Sequence, residues 1–198
     1  MYDFNIQTVT GTDIKPYIKE LAALRIKIFS EYPYIYDGSL EYEEKYLKVY
    51  TETKESIVVI VSNEDQIVGA STGLPMEFAA DEFKEPFIKK GYSPDRIFYF
   101  GESVLLKEFR GHGIYPRMFQ EREEHAKKTG NFDYTSFCAV ERPENHPDKP
   151  SGYTPLDRYW RKRGYIRQHD IIAQFSWKDL GEDTESFKYM VFWMKSIK

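Results

Sequence analysis

The tetrapeptide Arg-Gly-His-Gly at positions 110–113 has the residue types and spacing of a turn that binds phosphate. Glycine permits positive φ and lets a ligand approach the backbone closely. Pro116 suits the first turn of a helix, so we expect a helix that begins at Pro116 and ends at Gly130. Free N–H groups at a helix start attract anions, and the guanidinium of Arg110 suits phosphate oxygens. Residues 110–115 are therefore predicted to hold a phosphate or pyrophosphate group.

Two common phosphate motifs do not fit these residues. A P-loop requires Gly-x-x-x-x-Gly-Lys-Ser/Thr, which the sequence lacks, and Pro116 occupies the third glycine position of the dinucleotide fingerprint Gly-x-Gly-x-x-Gly. The preceding residues 97–106 are rich in aromatic and branched apolar side chains, which suits a buried strand. The whole unit is therefore predicted to be a strand, a glycine turn and a helix.

Glu102 is a second candidate for chemistry, because a lone carboxylate in an apolar strand needs a partner or a function. It could accept a proton as a general base, or it could anchor a neighbouring strand or helix end. The sequence leaves both interpretations open.

Cys138 is the single cysteine, and it lies near the end of a predicted strand. A covalent mechanism would use its thiol with His125 or His146 as the base. The favoured interpretation is a small buried hydrophobic side chain. The histidines have no metal-ligand spacing and there is no second cysteine, so no metal site is predicted.

Length and composition indicate one globular domain over residues 1–198, with 41% hydrophobic and 30% charged residues. The net charge of −4 argues against a nucleic-acid surface. The first residues lack the basic and apolar regions of a signal peptide, and no apolar run approaches the roughly 20 residues of a membrane span. Together with the single cysteine, these features predict a cytoplasmic protein without nucleic-acid or membrane partners.

Hydrophobic periodicity and chain breakers predict an α/β protein (α+β mixed). The predicted strands are residues 4–10, 56–62, 66–74, 97–106, 131–140, 166–178 and 186–196. The predicted helices are residues 13–29, 39–53, one within 75–96 that ends at Gly91, 116–130 and 153–163.

Two stretches together resemble the GNAT acetyltransferase superfamily. Residues 109–114, Phe-Arg-Gly-His-Gly-Ile, resemble its acyl-CoA motif Arg/Gln-x-x-Gly-x-Gly/Ala, with Tyr115 at the last position. Residues 159–165 resemble its string aromatic-Tyr-x-Lys-x-Gly-aromatic, with Trp160 at the tyrosine position. The order of the predicted elements is also similar to that of the superfamily over nearly the whole chain.

The resemblance implies a GNAT-like fold, with a central, mostly antiparallel, twisted sheet of about seven strands that splay apart at the acyl-CoA site and are flanked by helices. It also implies that acetyl-CoA is the co-substrate and that no metal is used. In this arrangement the pantetheine arm pairs with the strand edge at Val104, Leu105 and Leu106. The residues implied to contact the pyrophosphate are Arg110, Gly111, His112, Gly113, Ile114 and Tyr115.

The reaction implied by the resemblance is transfer of an acetyl or other small acyl group from CoA to a primary amine, by direct attack. Glu102 is the candidate base that takes the proton of the amine. The superfamily often uses the tyrosine at position 160 to protonate the thiolate, which an indole N–H cannot do at neutral pH. Tyr159 is then the candidate acid, with Tyr153 as a substitute.

Two other functions remain open at this point. One is a CoA-binding sensor or scaffold without turnover, and the other is an acyl hydrolase that depends on Cys138. The acceptor is expected to be a small molecule or a peptide, and a homodimer is left open. Loops at residues 32–38, 75–96 and 141–151 are expected to shape the acceptor pocket, although the aromatic loop 32–38 could equally cover the core.

Overall fold

The computed structural model describes residues 4–198, and along them the chain forms eight strands and five α-helices. The strands are β1 (Asn5–Val9), β2 (Ile57–Asn63), β3 (Gln66–Pro75), β4 (Ile97–Tyr99), β5 (Ser103–Leu105), β6 (Tyr134–Val140), β7 (Ile166–Trp177) and β8 (Ser186–Ser196). The α-helices are α1 (Ile18–Phe29), α2 (Leu40–Glu52), α3 (Asp81–Lys89), α4 (Ile114–Thr129) and α5 (Asp157–Lys162).

The strands form one sheet in the order β1-β2-β3-β4-β6-β8-β7, and β5 pairs with β3 beside β4. Each neighbouring pair is antiparallel except β4 and β6, which run parallel. The mixed α/β class and the mostly antiparallel sheet confirm the prediction from the sequence. No helix among residues 4–198 combines the length and apolar character needed to cross a bilayer.

The extra strand arises because the predicted strand at residues 97–106 is interrupted. Leu74 of β3 pairs with Tyr99, and Ser71 of β3 pairs with Ser103. The stretch from Tyr99 to Ser103 is therefore one residue longer than the stretch of β3 that it faces. An extra residue on one strand is a β-bulge, which bends the strand and redirects its side chains.

The bulge lies at Gly101 and Glu102, which both bond to the same partner. The N–H of Gly101 donates to the carbonyl of Thr72 at 3.2 Å, and the N–H of Thr72 donates to the carbonyl of Glu102 at 3.1 Å. A Cβ at Gly101 would collide with the hydroxyls of Tyr50 and Thr72. Glycine is therefore required at this position by close packing.

β5 and β6 diverge beyond the bulge. β4 runs beside β6 as far as the pair Tyr99 and Ser136, and the N–H of Phe100 still donates to the carbonyl of Ser136 at 2.8 Å. Further along, β5 pairs with β3 while β6 pairs with β8, so a gap opens in the sheet. The strands therefore splay apart here, as the resemblance implied.

The helix bounds differ from the predicted bounds at three places. α4 begins at Ile114 rather than Pro116. Pro116 is tolerated inside the first turn, because the N–H that a proline lacks would have no intrahelical acceptor there. The first predicted helix begins as a 3-10 segment, Gly11–Tyr17, which contains Pro16. The last predicted helix is shorter, Asp157–Lys162. The Ser39 cap is confirmed, since its hydroxyl accepts from the N–H of Tyr42 at 3.3 Å.

Candidate functional site

A cavity of about 670 Å³ fills the gap between the diverging strands. Its walls are the bulge at residues 100–103, β6 at residues 137–140, Tyr115 and Phe119 of α4, and Trp160 of α5. Residues of the loops 32–38 and 141–151 also contribute to the wall. The aromatic loop 32–38 thus borders a cavity, as the pocket-wall interpretation predicted.

The glycine turn has the backbone conformation that its sequence predicted. Gly111 and Gly113 have φ of +86° and +79°, and a Cβ at either would meet open space. Gly113 is the N-cap of α4, so the N–H groups of the first turn of this helix have no intrahelical acceptors. The exposed backbone and open space make a cradle that fits an anionic group.

Arg110 is the predicted phosphate ligand, and its guanidinium already has two partners. Nη2 contacts Glu31 Oε2 at 2.8 Å, and Nε donates to the carbonyl of Leu105 at 3.0 Å. Arg110 and Glu31 are about equally exposed, at 44% and 43% of their side chains. A solvent-exposed pair of this kind is weakly held, so a phosphate can compete for the guanidinium.

The open edge of β5 differs in detail from the predicted edge at residues 104–106. Leu106 donates its N–H to Val68 of β3 at 2.9 Å. Because antiparallel bonding alternates along a strand, Val104 also bonds to β3, whereas Ser103 and Leu105 direct their backbone groups to the gap. Of the three predicted residues, only Leu105 therefore directs backbone groups to the gap, and its carbonyl already accepts from Arg110 Nε. Ser103 was missed.

The predicted acid Tyr159 lies outside the lining of the cavity, whereas its substitute Tyr153 is part of the wall. Tyr32, Tyr34 and Tyr115 also line the cavity. The indole N–H of Trp160 donates to the Tyr115 hydroxyl at 3.1 Å. Burial raises the pKa of Tyr115 to about 12, although the bond from Trp160 lowers it. Tyr115 therefore stays protonated at neutral pH and can donate a hydrogen bond.

Glu102 is buried in an ionic triad with Arg25 and Glu43. The Arg25 guanidinium contacts Glu102 Oε2 through Nη1 and Glu43 Oε2 through Nε. Burial lowers the pKa of Arg25, but the charge of Glu102, together with Tyr46 and Glu43, raises it well above its usual value. The structure thus supplies the partner that the anchoring interpretation of Glu102 requires. Its role as a base stays a prediction.

A second buried cation, Arg122, lies beneath the bulge and was missed by sequence reasoning. Its Nη1 donates to the carbonyls of Thr72 and Glu102, both at 3.1 Å, and its Nη2 donates to Ser103 Oγ at 2.7 Å. The guanidinium also lies 4.3 Å from the Phe100 ring centroid. Burial lowers the pKa of Arg122 to about 10, so it remains charged at neutral pH and fixes the bulge.

Cys138 is 8% exposed, and the Tyr99 hydroxyl lies 3.2 Å from its sulfur. Burial raises the pKa of Cys138 to about 12, which keeps the thiol protonated and unreactive. His125, one proposed base, contacts the carbonyl of Glu55 through Nε2 at 2.8 Å. The environment of Cys138 agrees with the favoured interpretation of a buried hydrophobic side chain.

A smaller cavity of about 130 Å³ lies against the bulge and is lined mainly by aromatic rings. Both cavities include Gly101, Glu102 and Cys138 in their walls. The small cavity also includes Arg25 and Glu43. The bulge therefore forms a thin wall between two cavities, and Glu102 belongs to both.

Arg25, Glu43 and Arg122 could have been identified from their helical positions. Each lies on the apolar stripe of its helix, and Arg122, for example, follows Met118 by one helical turn. A charge on an apolar stripe indicates a buried ionic partner. The identity of the partner requires the fold.

Comparison with protein-family models gives no match, and neither does comparison with curated proteins. Solved structures do resemble the chain. A GNAT-family acetyltransferase from Streptococcus pneumoniae is 15% identical, with a TM-score of 0.59, over 99% of this chain and 100% of that chain. Ribosomal-protein-alanine N-acetyltransferase from Brucella melitensis is 14% identical, with a TM-score of 0.61, over 98% and 99% of the two chains.

A third similar structure is yncA from Salmonella typhimurium, described as an acetyltransferase and solved with acetyl-CoA. It is 8% identical, with a TM-score of 0.58, over 98% of this chain and 94% of that chain. At such identities the likeness concerns the fold, and it extends over nearly the whole length of each chain. The chain therefore has the fold of the GNAT acetyltransferases, as its sequence predicted.

Proposed function

We propose that the protein transfers an acetyl or other small acyl group from acyl-CoA to an amine. The observation that supports this most strongly is the gap between β5 and β6, whose edge at Ser103 and Leu105 is joined to the turn before α4 by the bond from Arg110 Nε to the carbonyl of Leu105. An extended chain with an amide-bearing arm and a pyrophosphate matches this combination of strand edge and anion cradle.

The similar proteins support both halves of the proposal. The Salmonella structure contains acetyl-CoA, which supports CoA as the donor. The Brucella protein is named for N-acetylation of an alanine, which supports nitrogen as the acceptor atom. Because these proteins are only 8% and 14% identical to this chain, their substrates are a guide to chemistry and not to the particular acceptor.

In the proposed reaction the pyrophosphate binds at residues 110–115 and the arm follows the edge of β5. The thioester then lies at the bulge, where the amine attacks its carbonyl carbon and the carbon–sulfur bond breaks. A lysine-like amine costs about 4–5 kcal/mol to deprotonate at pH 7, and Glu102, in the bulge, is the proposed acceptor of that proton. The leaving thiolate is stable, with a pKa of about 8.5, and Tyr115 is the phenol at the cavity wall that can hydrogen-bond to it.

A CoA-binding protein without turnover is the second candidate. The ion pair between Glu102 and Arg25 favours it, because the carboxylate that the proposed base would use is already engaged by a buried guanidinium. Tyr159 also lies outside the lining of the large cavity.

Release of free thiol from acetyl-CoA, measured with and without a panel of amines, distinguishes these functions. Release that requires an amine, with acetylated amine found by mass spectrometry, is the expected result. CoA binding in calorimetry without any release of thiol would support the second candidate, a CoA-binding protein without turnover. Release at the same rate without amine would indicate a hydrolase.

A further inference from the structure

We propose that the small cavity beside the bulge is the acceptor site, and that it selects a compact monoamine cation with an aromatic or apolar body and no acid group. The inference rests on the proposed function, since it names the acceptor class of the same reaction. Three properties of the cavity carry it: the rings of its wall, its net charge and its size.

Aromatic rings form most of the wall. Five of them come from the aromatic loop, α3, β4 and β7: Tyr34, Tyr36, Phe83, Tyr99 and Phe175. Trp177 also lines the cavity, but Arg142 and Lys188 already lie 5.9 Å and 5.3 Å from its ring centroid. The rings of Phe29 and Tyr46 also line it, but Arg25 already lies 5.0 Å and 4.3 Å from their centroids. Aromatic faces attract a cation and pack against an apolar body, so this wall suits an amine that has both.

The charged residues that line the cavity leave one negative charge unbalanced. Among the described residues of its wall, the ionic groups are Arg25, Glu43 and Glu102, and the single guanidinium pairs with both carboxylates. Glu43 is 1% exposed and Glu102 is 8% exposed. A net charge of −1 in such a poorly solvated place attracts a cation and repels an anion.

The nearby ionic cluster does not supply the missing positive charge, because its charges balance internally. Its members are Arg142, Asp179, Glu182 and Lys188. Arg122 is a further buried cation, but it lines the large cavity and directs its guanidinium to the carbonyls of Thr72 and Glu102 and to Ser103 Oγ. In the wall of the small cavity the carboxylates therefore outnumber the guanidinium, and a ligand cation that enters can balance them.

The volume of about 130 Å³ limits the size of the amine. An engineered core cavity of about 150 Å³ holds benzene, so a single ring or a branched alkyl group fits here. A ring of this size with a short aminoalkyl chain would direct its nitrogen to Glu102, in the wall shared with the large cavity. An α-carboxylate on the same amine would face Glu43 and Glu102 without a free cation.

Binding of three probes in the presence of CoA tests the inference without turnover. Phenethylamine has the ring and one ammonium, phenylalanine adds a carboxylate, and spermidine has charge without a ring. Calorimetry is expected to give at least roughly 10-fold tighter binding for phenethylamine than for either other probe.

Two variants locate the site. Glu43→Gln makes the triad neutral and should weaken phenethylamine binding by roughly 10-fold. Glu41→Gln removes the same charge from an exposed position of α2 and is the matched control, expected to leave affinity unchanged. Phe175→Leu removes a ring without disturbing the triad and should also weaken phenethylamine, so a Glu43 variant that fails to fold does not end the test.

The outcomes separate this inference from the proposed function. Thiol release with spermidine or phenylalanine, but no binding or reaction of phenethylamine, overturns the inference and keeps the acyltransferase. Phenethylamine binding that depends on Glu43 and Phe175, without thiol release from acetyl-CoA, supports the site and overturns the enzyme. Equal affinity of the three probes also overturns the inference.

Discussion

Glu102 is the residue on which the proposed chemistry depends most directly. It lies in the bulge, borders both cavities and contacts Arg25. Glu102→Gln keeps the shape and removes the proton acceptor, so the rate with amine at pH 7 should fall by about 10²–10⁴ while CoA affinity is retained. The deficit should shrink as pH rises, because more of the amine arrives neutral. Steady-state rates from pH 6 to 10, with CoA affinity from calorimetry, provide the measurement.

Glu43→Gln is the comparison that distinguishes a base from a structural charge. It removes the other carboxylate from Arg25 and leaves Glu102 in place. We expect it to raise the KM for the amine, without the pH-dependent loss of kcat. If Glu102→Gln instead loses CoA binding or fails to fold, Glu102 is an anchor for Arg25.

Cys138 is expected to be dispensable, because burial raises its pKa to about 12 and leaves almost no thiolate at neutral pH. Cys138→Ala should retain most of the turnover of the wild-type protein. Mass spectrometry of the protein after incubation with acetyl-CoA should find no acyl group on this thiol. An acylated Cys138 in that experiment would contradict direct transfer.

At this scale the sequence predicts which residues carry charge in apolar surroundings, but not which partner each one has. Glu102 was selected because it interrupts an apolar strand, and the structure shows why it is tolerated there. Its partner Arg25 is 77 positions earlier in the chain, which no local pattern can reveal. Arg122 was missed although its neighbours Met118 and Ala126 mark the buried face of α4.

The glycine turn before α4 is the element whose backbone conformation should control CoA affinity. Gly113 has φ of +79°, a conformation that costs an L-residue about 1–2 kcal/mol. Gly113→Val should change the turn conformation, cover the start of α4 and weaken CoA binding by roughly 10-fold or more, as measured by calorimetry.

Gly91→Val is the matched control for this variant. Gly91 has φ of +81°, and a Cβ there also meets open space, but Gly91 follows α3, away from the turn. The control should lose similar stability and keep its CoA affinity. Equal affinities of Gly113→Val and the wild-type protein would place the phosphate site elsewhere.

The strands and helices were largely predictable, because each has a clear hydrophobic periodicity and is bounded by glycine, proline or polar residues. The bulge was not predicted, because residues 97–106 have the pattern of one continuous apolar strand. Gly101 is the local sign of it, since glycine inside a strand marks a bulge or a close approach. The same interruption moved the open edge from the predicted residues 104–106 to Ser103 and Leu105.

At the scale of the whole molecule, one buried ionic cluster holds together segments that are distant in sequence. Arg142 contacts Asp179 at 2.7 Å and 2.9 Å, and it donates to the carbonyls of Pro33 and Tyr34. Lys188 of β8 approaches the same Asp179 carboxylate at 3.1 Å. The aromatic loop 32–38 is thereby fixed to the β7–β8 hairpin, a relation that local sequence patterns do not contain.

Asp179→Asn should destabilise the protein by about 3–5 kcal/mol at pH 7, because it leaves the buried Arg142 without a carboxylate and Lys188 with Glu182 alone. Burial raises the pKa of Asp179, but the bonds from Arg142 and Lys188 outweigh burial and lower it. A lowered folded pKa means that this stability is complete above the unfolded pKa of about 3.9 and is lost as pH falls through the folded pKa. The difference in the free energy of unfolding between wild type and variant, measured in urea, should therefore become smaller below about pH 4.

Asp170→Asn is the control for that measurement. Its carboxylate also pairs with a lysine, Lys90, but on the surface, so the substitution should change stability little at any pH. If the free-energy difference between wild type and Asp179→Asn stays constant down to pH 2, the stability of the cluster does not depend on the ionised carboxylate.

The bulge has a consequence for the order of events during turnover. Because Gly101 and Glu102 separate two cavities, acyl-CoA and the amine can be bound at the same time. A ternary complex can therefore form. Initial rates measured against both concentrations should therefore give double-reciprocal lines that intersect, whereas parallel lines would indicate a ping-pong scheme with an acylated enzyme. The acetylated amine and CoA would then leave from separate cavities. Excess acetylated amine should therefore compete only with the amine, and excess CoA only with acetyl-CoA.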